Sequence, residues 1–120
     1  MKVLIVDDEK SVADSTALVF RRHGHDATAA YSGEEALALI HELKPDILLT
    51  DVKMMGLNGI DLAIKICEEL PNCKLLLFPG QADTADLLEE AKRNGYEFEI
   101  LAKPVSPQVL LEKATQMVGV

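Results

Sequence analysis

Tryptophan is absent from these 120 residues, and three phenylalanines and two tyrosines cannot supply a platform on which nucleic-acid bases would stack. Basic residues are scarce as well. Twelve Lys and Arg against twenty Asp and Glu leave a formal net charge of −8. The bases occur singly or in adjacent pairs, of which Arg21-Arg22 reads as a solvated helix end favoured by the helix dipole. With no basic cluster to displace counterions from a phosphate backbone, the composition argues against direct nucleic-acid binding. Only two cysteines are present, Cys67 and Cys73, without metal-ligand spacing, and they read as reduced, small apolar side chains. No hydrophobic run approaches the roughly 18 residues that cross a bilayer, and no signal-peptide pattern follows Met1. The expectation is a cytoplasmic protein that does not engage a membrane. Linkers, repeats and low-complexity segments are also missing, so any further domain is expected to lie outside these residues. The chain would be a stand-alone module or an excised one.

What is present suffices for one domain. A hydrophobic content of 48% over 120 residues allows burial of about two thirds of the surface the unfolded chain exposes. The organising stretch is Pro45 to Gly59, in which a short apolar run leads directly into Asp51 and then into a glycine-containing loop. So short a run, rich in Ile and Leu, predicts a strand buried on both faces with Asp51 at its carboxyl end, where open α/β sheets place their sites. A carboxylate there is either solvated at the rim or part of a cluster that binds cations or phosphoryl groups. Two further strands decide between these. Val3 to Val6 ends in Asp7, Asp8 and Glu9, and Phe98 to Ala102 ends in Lys103-Pro104. If the strands are parallel neighbours, Asp7, Asp8 and Asp51 crowd together, and a divalent cation and the Lys103 ammonium relieve their repulsion. Oxygen donors with room for water suit Mg²⁺.

Helical segments alternate with these strands. Val12, Thr16, Val19 and Phe20 give Ser11 to His23 an apolar face, and Gly24 stops that helix. A weak strand, Asp26 to Ala30, precedes a capping box formed by Ser32 and Glu35, which opens a helix with Ala36, Ile40 and Leu43 inward; Pro45 closes it. The βαβ unit so formed is expected to be right-handed. Asn58 caps a third helix with Leu62, Ile66 and Leu70 on one side, ended by Pro71. Leu75 to Phe78 form the fourth strand, Pro79-Gly80-Gln81 turn the chain, and Asp83 or Thr84 caps a fourth helix with Leu87, Leu88 and Ala91 inward, which Asn94-Gly95 terminates. Ser106 and Pro107 open the last helix, with Leu110, Ala114 and Met117 on one side. Five strand-helix alternations predict an α/β fold, a five-stranded parallel sheet wound on both faces. Glu9 reads as a solvated first-turn acid. His23, His25 and His41 lie near helix ends and read as surface or capping residues rather than metal ligands. Met54 and Met55 read as gap fillers.

Asp7-Asp8 after the first strand, Asp51 after the third and Lys103-Pro104 after the fifth, in this order over the whole chain, resemble the CheY-like receiver domain of two-component response regulators. The resemblance implies the flavodoxin-like strand order 2-1-3-4-5. It also implies that Asp51 is the phosphoacceptor, taking a phosphoryl group from a histidine kinase or histidine phosphotransfer protein. Mg²⁺ would be held by Asp8 directly, by Asp7 through water, by Asp51, and by the backbone carbonyl of Lys53. Lys103 would pair with Asp51 before transfer and with phosphate after it, its direction fixed by Pro104 behind a cis bond. Catalysis would be limited to self-phosphorylation and slow autodephosphorylation, with output to a partner or effector domain through the fourth helix, fifth strand and fifth helix. Three departures stand out. Pro79 replaces the usual Ser or Thr, Ile100 the usual aromatic switch residue, and Met55 the usual proline after the acceptor loop's methionine. Proline offers neither hydroxyl nor N–H. Phosphorylation is thus expected to survive with a changed readout. The alternative is a degenerate receiver that binds its partner regardless of phosphorylation. A Mg²⁺-dependent phosphatase is a third reading, weakened by the lack of Asp-x-Asp after one strand.

Overall fold

A computed structural model describes residues 1–80 and 85–119. The expected cap at Asp83 or Thr84, and Gln81 of the turn, lie outside the described residues. Among the described residues ten elements alternate: β1 Lys2–Val6, α1 Lys10–Arg22, β2 Asp26–Ala30, α2 Gly33–Leu43, β3 Ile47–Thr50, α3 Gly59–Glu69, β4 Lys74–Leu77, α4 Ala85–Arg93, β5 Glu99–Ile100 and α5 Pro107–Val118. All strands are parallel, in the order β2-β1-β3-β4-β5. This is the flavodoxin-like, doubly wound arrangement that the sequence implied.

Side-chain alternation along the strands divides the interior in two. Leu4, Val6, Leu48, Leu75 and Leu77 pack with α2, α3 and α4, around Ile40, Leu62 and Ile66. Val3, Ile5, Leu49, Leu76 and Phe78 pack with α1 and α5, around Phe20, Leu110 and Ala114. β1 and β3, with neighbours on both sides, are apolar runs buried almost end to end. In α1 the buried face is Ala13, Thr16, Ala17 and Phe20, while Val12 and Val19 flank it half-buried. The alanines, rather than the valines the periodicity favoured, sit nearest the sheet. Leu87 and Leu88 are only half-buried, and Ala91 alone is fully covered in α4.

The caps follow the sequence closely. Ser32, Asn58 and Ser106 each accept from the backbone N–H three residues on. The Glu35 carboxylate reaches back to the Tyr31 N–H at 3.3 Å, one residue earlier than the reciprocal bond of a capping box. Two expectations need correction. The fifth strand is two residues long, not five, and both are exposed, because an edge strand has one neighbour and here alternates with the solvated acids Glu97 and Glu99. The two methionines also differ. Met54 fills the core beside α3, whereas Met55 is 86% exposed.

Cys67 and Cys73 are free. Burial, then the charge of Asp46 and the neighbouring Cys67, pushes the Cys73 thiol up to about 12, so it is protonated and unreactive at neutral pH. Among the described residues no helix is long and apolar enough to cross a membrane.

Candidate functional site

Strand periodicity carries the site residues to one side of the sheet. Asp7 continues the series Val3-Ile5, Asp51 the series Ile47-Leu49, and Phe78 follows Leu76 on the face that packs with α1 and α5. The backbone ladder continues past the strand ends to hold them: Asp7 N–H donates to Ala30 O, Asp51 N–H to Val6 O, Phe78 N–H to Thr50 O and Lys103 N–H to Pro79 O, at 2.8–3.2 Å. These residues line a cavity of about 650 Å³ with Asp8, Glu9, Lys53, Gly80 and the first turns of α1 and α5.

At its floor, Asp7 is fully buried and Asp51 is 8% exposed. Lys103 Nζ donates to Asp7 Oδ2 at 2.8 Å and to Asp51 Oδ2 at 3.1 Å. Its ammonium also lies 5.2 Å from the centre of the Phe78 ring. Asp7 Oδ1 accepts from Glu9 N–H at 2.9 Å, and Asp51 Oδ1 from Val52 N–H at 2.7 Å. Asp8 is exposed, its Oδ2 3.4 Å from Met55 N. Oxygens of Asp7, Asp8 and Asp51 lie within 4.8 Å of one another, the one such cluster of three side chains able to ligate a metal among the described residues. That span is close to the roughly 4 Å across a magnesium ion's oxygen shell, and hard carboxylate oxygens beside an open cavity suit that ion.

Burial raises the Asp51 pKa above its ordinary value, and the Asp7 charge adds to this; the hydrogen bond and charge of Lys103 and the Val52 N–H oppose it without prevailing. Lys103 behaves differently. Burial alone would lower its pKa, but the hydrogen bonds and charges of Asp7 and Asp51 outweigh that, and the net shift is upward. One ammonium facing two carboxylates stays charged, while Asp51 carries the desolvation cost.

Gly59 has a steric role. Its N–H closes the loop onto Val52 O at 2.7 Å, and a Cβ there would overlap the Asp51 carbonyl oxygen. The Lys103-Pro104 peptide is cis, as the resemblance implied.

The structure thus brings together Asp7, Asp8, Asp51 and Lys103, with Lys53 on the same cavity. Pro79 is buried at the end of β4, beside the cavity's Phe78 and Gly80. Ile100 stands apart, 40% exposed, and lines a second groove with Tyr96 and Phe98, whose rings stack 6.2 Å apart. Sequence reading paired Lys103 with Asp51 and missed its shorter bond to Asp7. It also missed Phe78 beneath the ammonium, although period-2 alternation from Leu76 would have found it. Glu9 is the exposed N-cap of α1 and makes no side-chain cap bond. The histidines lie outside the cluster: His23 Nδ1 meets Val19 O, His25 Nδ1 the Met1 amine, and His41 pairs with Glu69 at 3.4 Å.

Residues 3–115 match the family described as response regulator receiver domain. The chain is similar to the DNA-binding response regulator MtrA of Mycobacterium tuberculosis, 28% identical over 112 residues that cover 93% of this chain and 48% of that protein. It is 37% identical over 115 residues to the positive alginate biosynthesis regulatory protein of Pseudomonas aeruginosa, covering 93% and 45%. The chain therefore spans about half the length of these curated relatives. A CheY-like receiver domain protein from Methanospirillum hungatei JF-1 superposes with a TM-score of 0.88 at 28% identity, over 98% of this chain and 93% of that one. The fold, the acidic cluster with its lysine and these matches agree: the chain belongs to the receiver domain family of two-component response regulators.

Proposed function

We propose that Asp51 accepts a phosphoryl group from a phosphohistidine on a kinase or phosphotransfer partner, and that the acidic cluster holds Mg²⁺ for that step. The observation that carries this reading is Asp51 itself, a buried carboxylate at the floor of an open cavity, within hydrogen-bond reach of one ammonium and beside two further carboxylates. Asp51 attacks the phosphorus as a nucleophile. The phosphorus–nitrogen bond breaks, and the imidazole leaves with the electron pair and takes up a proton. Asp8, Asp7, Asp51 and the Lys53 carbonyl would hold Mg²⁺, which supplies charge neutralisation for the transferred group. Lys103 first steadies the Asp51 carboxylate and, as a mobile point charge, then follows the phosphoryl oxygens. Asp7 keeps the ammonium at the floor of the cavity throughout. The domain transforms only itself, by phosphorylation and slow hydrolysis.

Pro79 alters the response. With no hydroxyl at the end of β4, the phosphoryl group lacks the contact that would draw the following loop inward, and Ile100 replaces the aromatic that would change rotamer. Chemistry at Asp51 then proceeds with a weak or differently routed change on the face of α4, β5 and α5. That face is the proposed contact for a downstream partner or effector domain. Among these residues the net charge of −8 supports protein partners rather than DNA. Pro79 also favours a second reading, a module that binds its partner irrespective of phosphorylation.

Incubation with acetyl phosphate and Mg²⁺, read by intact mass, tests the first reading. A phosphate-sized gain that vanishes in Asp51→Asn is expected. No gain in the unaltered protein, despite bound Mg²⁺, would favour the second reading; repeated turnover of a phosphoester would instead indicate a phosphatase.

A further inference from the structure

The loop after Asp51 is fastened from three directions. Gly59 N–H bonds Val52 O across its base at 2.7 Å, and Met55 N–H approaches Asp8 Oδ2 at 3.4 Å. The third tie comes from a separate element. Leu57 N–H donates to Oε2 of Glu34 at 3.0 Å, and Glu34 is an exposed residue in the first turn of α2. The loop is shaped to receive this carboxylate. Gly56 adopts φ 77, a left-handed conformation that favours glycine, and a Cβ there would lie 2.7 Å from Glu34 Oε2. A carboxylate accepting a backbone N–H is a charge-assisted bond, and this one spans 23 residues of sequence between two elements.

We infer that Glu34 is a positioning residue for the acidic site: by holding Leu57 N–H it fixes the loop that carries Lys53 and that touches Asp8 through Met55. Asp8 is the exposed member of the acidic cluster, so its placement depends most on what surrounds it. Lys53 lines the same cavity from the same loop. Releasing Leu57 therefore loosens two of the groups that face a cation, without touching Asp51, Asp7 or Lys103. Glu34 acts through the loop and touches none of the reacting atoms.

This inference rests on the proposed Mg²⁺ site, and the test separates the two. Mg²⁺ affinity is measured by calorimetry for the unaltered protein, Glu34→Ala and Glu34→Gln, together with amide hydrogen exchange at Leu57 in the metal-free state. Alanine removes the acceptor. Glutamine keeps an acceptor oxygen at the same reach but removes the charge. The expected result is Mg²⁺ binding weakened about fivefold by Glu34→Ala, with faster exchange at Leu57, and both restored to within about twofold by Glu34→Gln. Unchanged affinity in Glu34→Ala would overturn the inference. Equal loss in both variants would overturn it too, by showing that charge at the start of α2, rather than the tie to Leu57, is what matters. An unaltered protein that binds no Mg²⁺ would overturn the cation site itself.

Discussion

The two halves of the site are built on different foundations. Asp7, Asp8 and Asp51 follow β1 and β3, whose inner residues are completely buried and hydrogen-bonded on both sides. Pro79, which has no N–H to donate, follows the inner strand β4, while Ile100 lies in β5 and Lys103 follows it, where the sheet thins to a two-residue edge with both side chains exposed. A phosphoacceptor needs fixed carboxylates, and the centre of the sheet provides them. A readout needs an element that shifts at low cost; the exposed two-residue edge suits that role, and under the proposed function Pro79 withholds the hydroxyl that would drive it. Under the proposed function, acceptance and readout draw on regions of unequal burial, and the expectation is that the two are separable.

The largest expected contrast is in stability. Leu49→Ala, in the centre of β3, should destabilise the domain by about 3 kcal/mol, whereas Ile100→Ala should cost no more than about 0.5 kcal/mol. Urea denaturation of both variants measures the difference, and similar losses would erase the distinction between centre and edge. Lys103→Ala comes next. Removal of the ammonium between Asp7 and Asp51 should slow phosphorylation by acetyl phosphate roughly 100-fold, followed by intact mass over time. A rate within a few-fold of the unaltered protein would mean that Lys103 only balances charge.

Pro79→Thr sharpens the comparison from the other side. The backbone carbonyl at this position accepts from Lys103 N–H and is retained, while a hydroxyl is added. The rate of acceptance should change by less than about threefold, yet the response across α4 and β5, read by amide shifts with and without phosphorylation, should grow. An unchanged response would place the block elsewhere, with Ile100 the next residue to examine.

The smallest effects concern pH. Asp51 has a raised pKa in the folded protein, so between its ordinary and raised values the native state binds more protons than the unfolded chain. Stability of the metal-free protein therefore falls as pH rises through that window. Asp51→Asn should remove this slope and raise the neutral-pH melting temperature by about 2–4 °C. A lower melting temperature would mean that the tie to Lys103 outweighs burial and the repulsion from Asp7.

Much of this was legible in the sequence. Strand ends bearing Asp7, Asp8, Asp51 and Lys103 are local patterns, as are the Ser32, Asn58 and Ser106 caps, and local patterns determine where such residues fall along the chain. What escaped the reading depends on geometry between distant segments. The bond from Lys103 to Asp7 crosses the sheet, and the Glu34 tie to Leu57 joins the first turn of α2 to the loop after Asp51; neither leaves a periodic trace. The length of β5 was overestimated for a related reason. Apolar residues from Phe98 to Ala102 resemble a strand, but extent at an edge is set by its one neighbour. The buried face of α1 was displaced toward its alanines because close approach to a sheet rewards small side chains over larger apolar ones.

The most direct test of separable acceptance and readout is an amide chemical-shift map of the protein with Mg²⁺, before and after addition of beryllofluoride as a phosphoryl mimic. Large changes at Asp8, at residues 51–59 and at Lys103, with small changes through residues 85–100, are predicted. A full rearrangement of residues 85–100, equal to that around Asp51, would contradict the account and show that this domain switches without the hydroxyl.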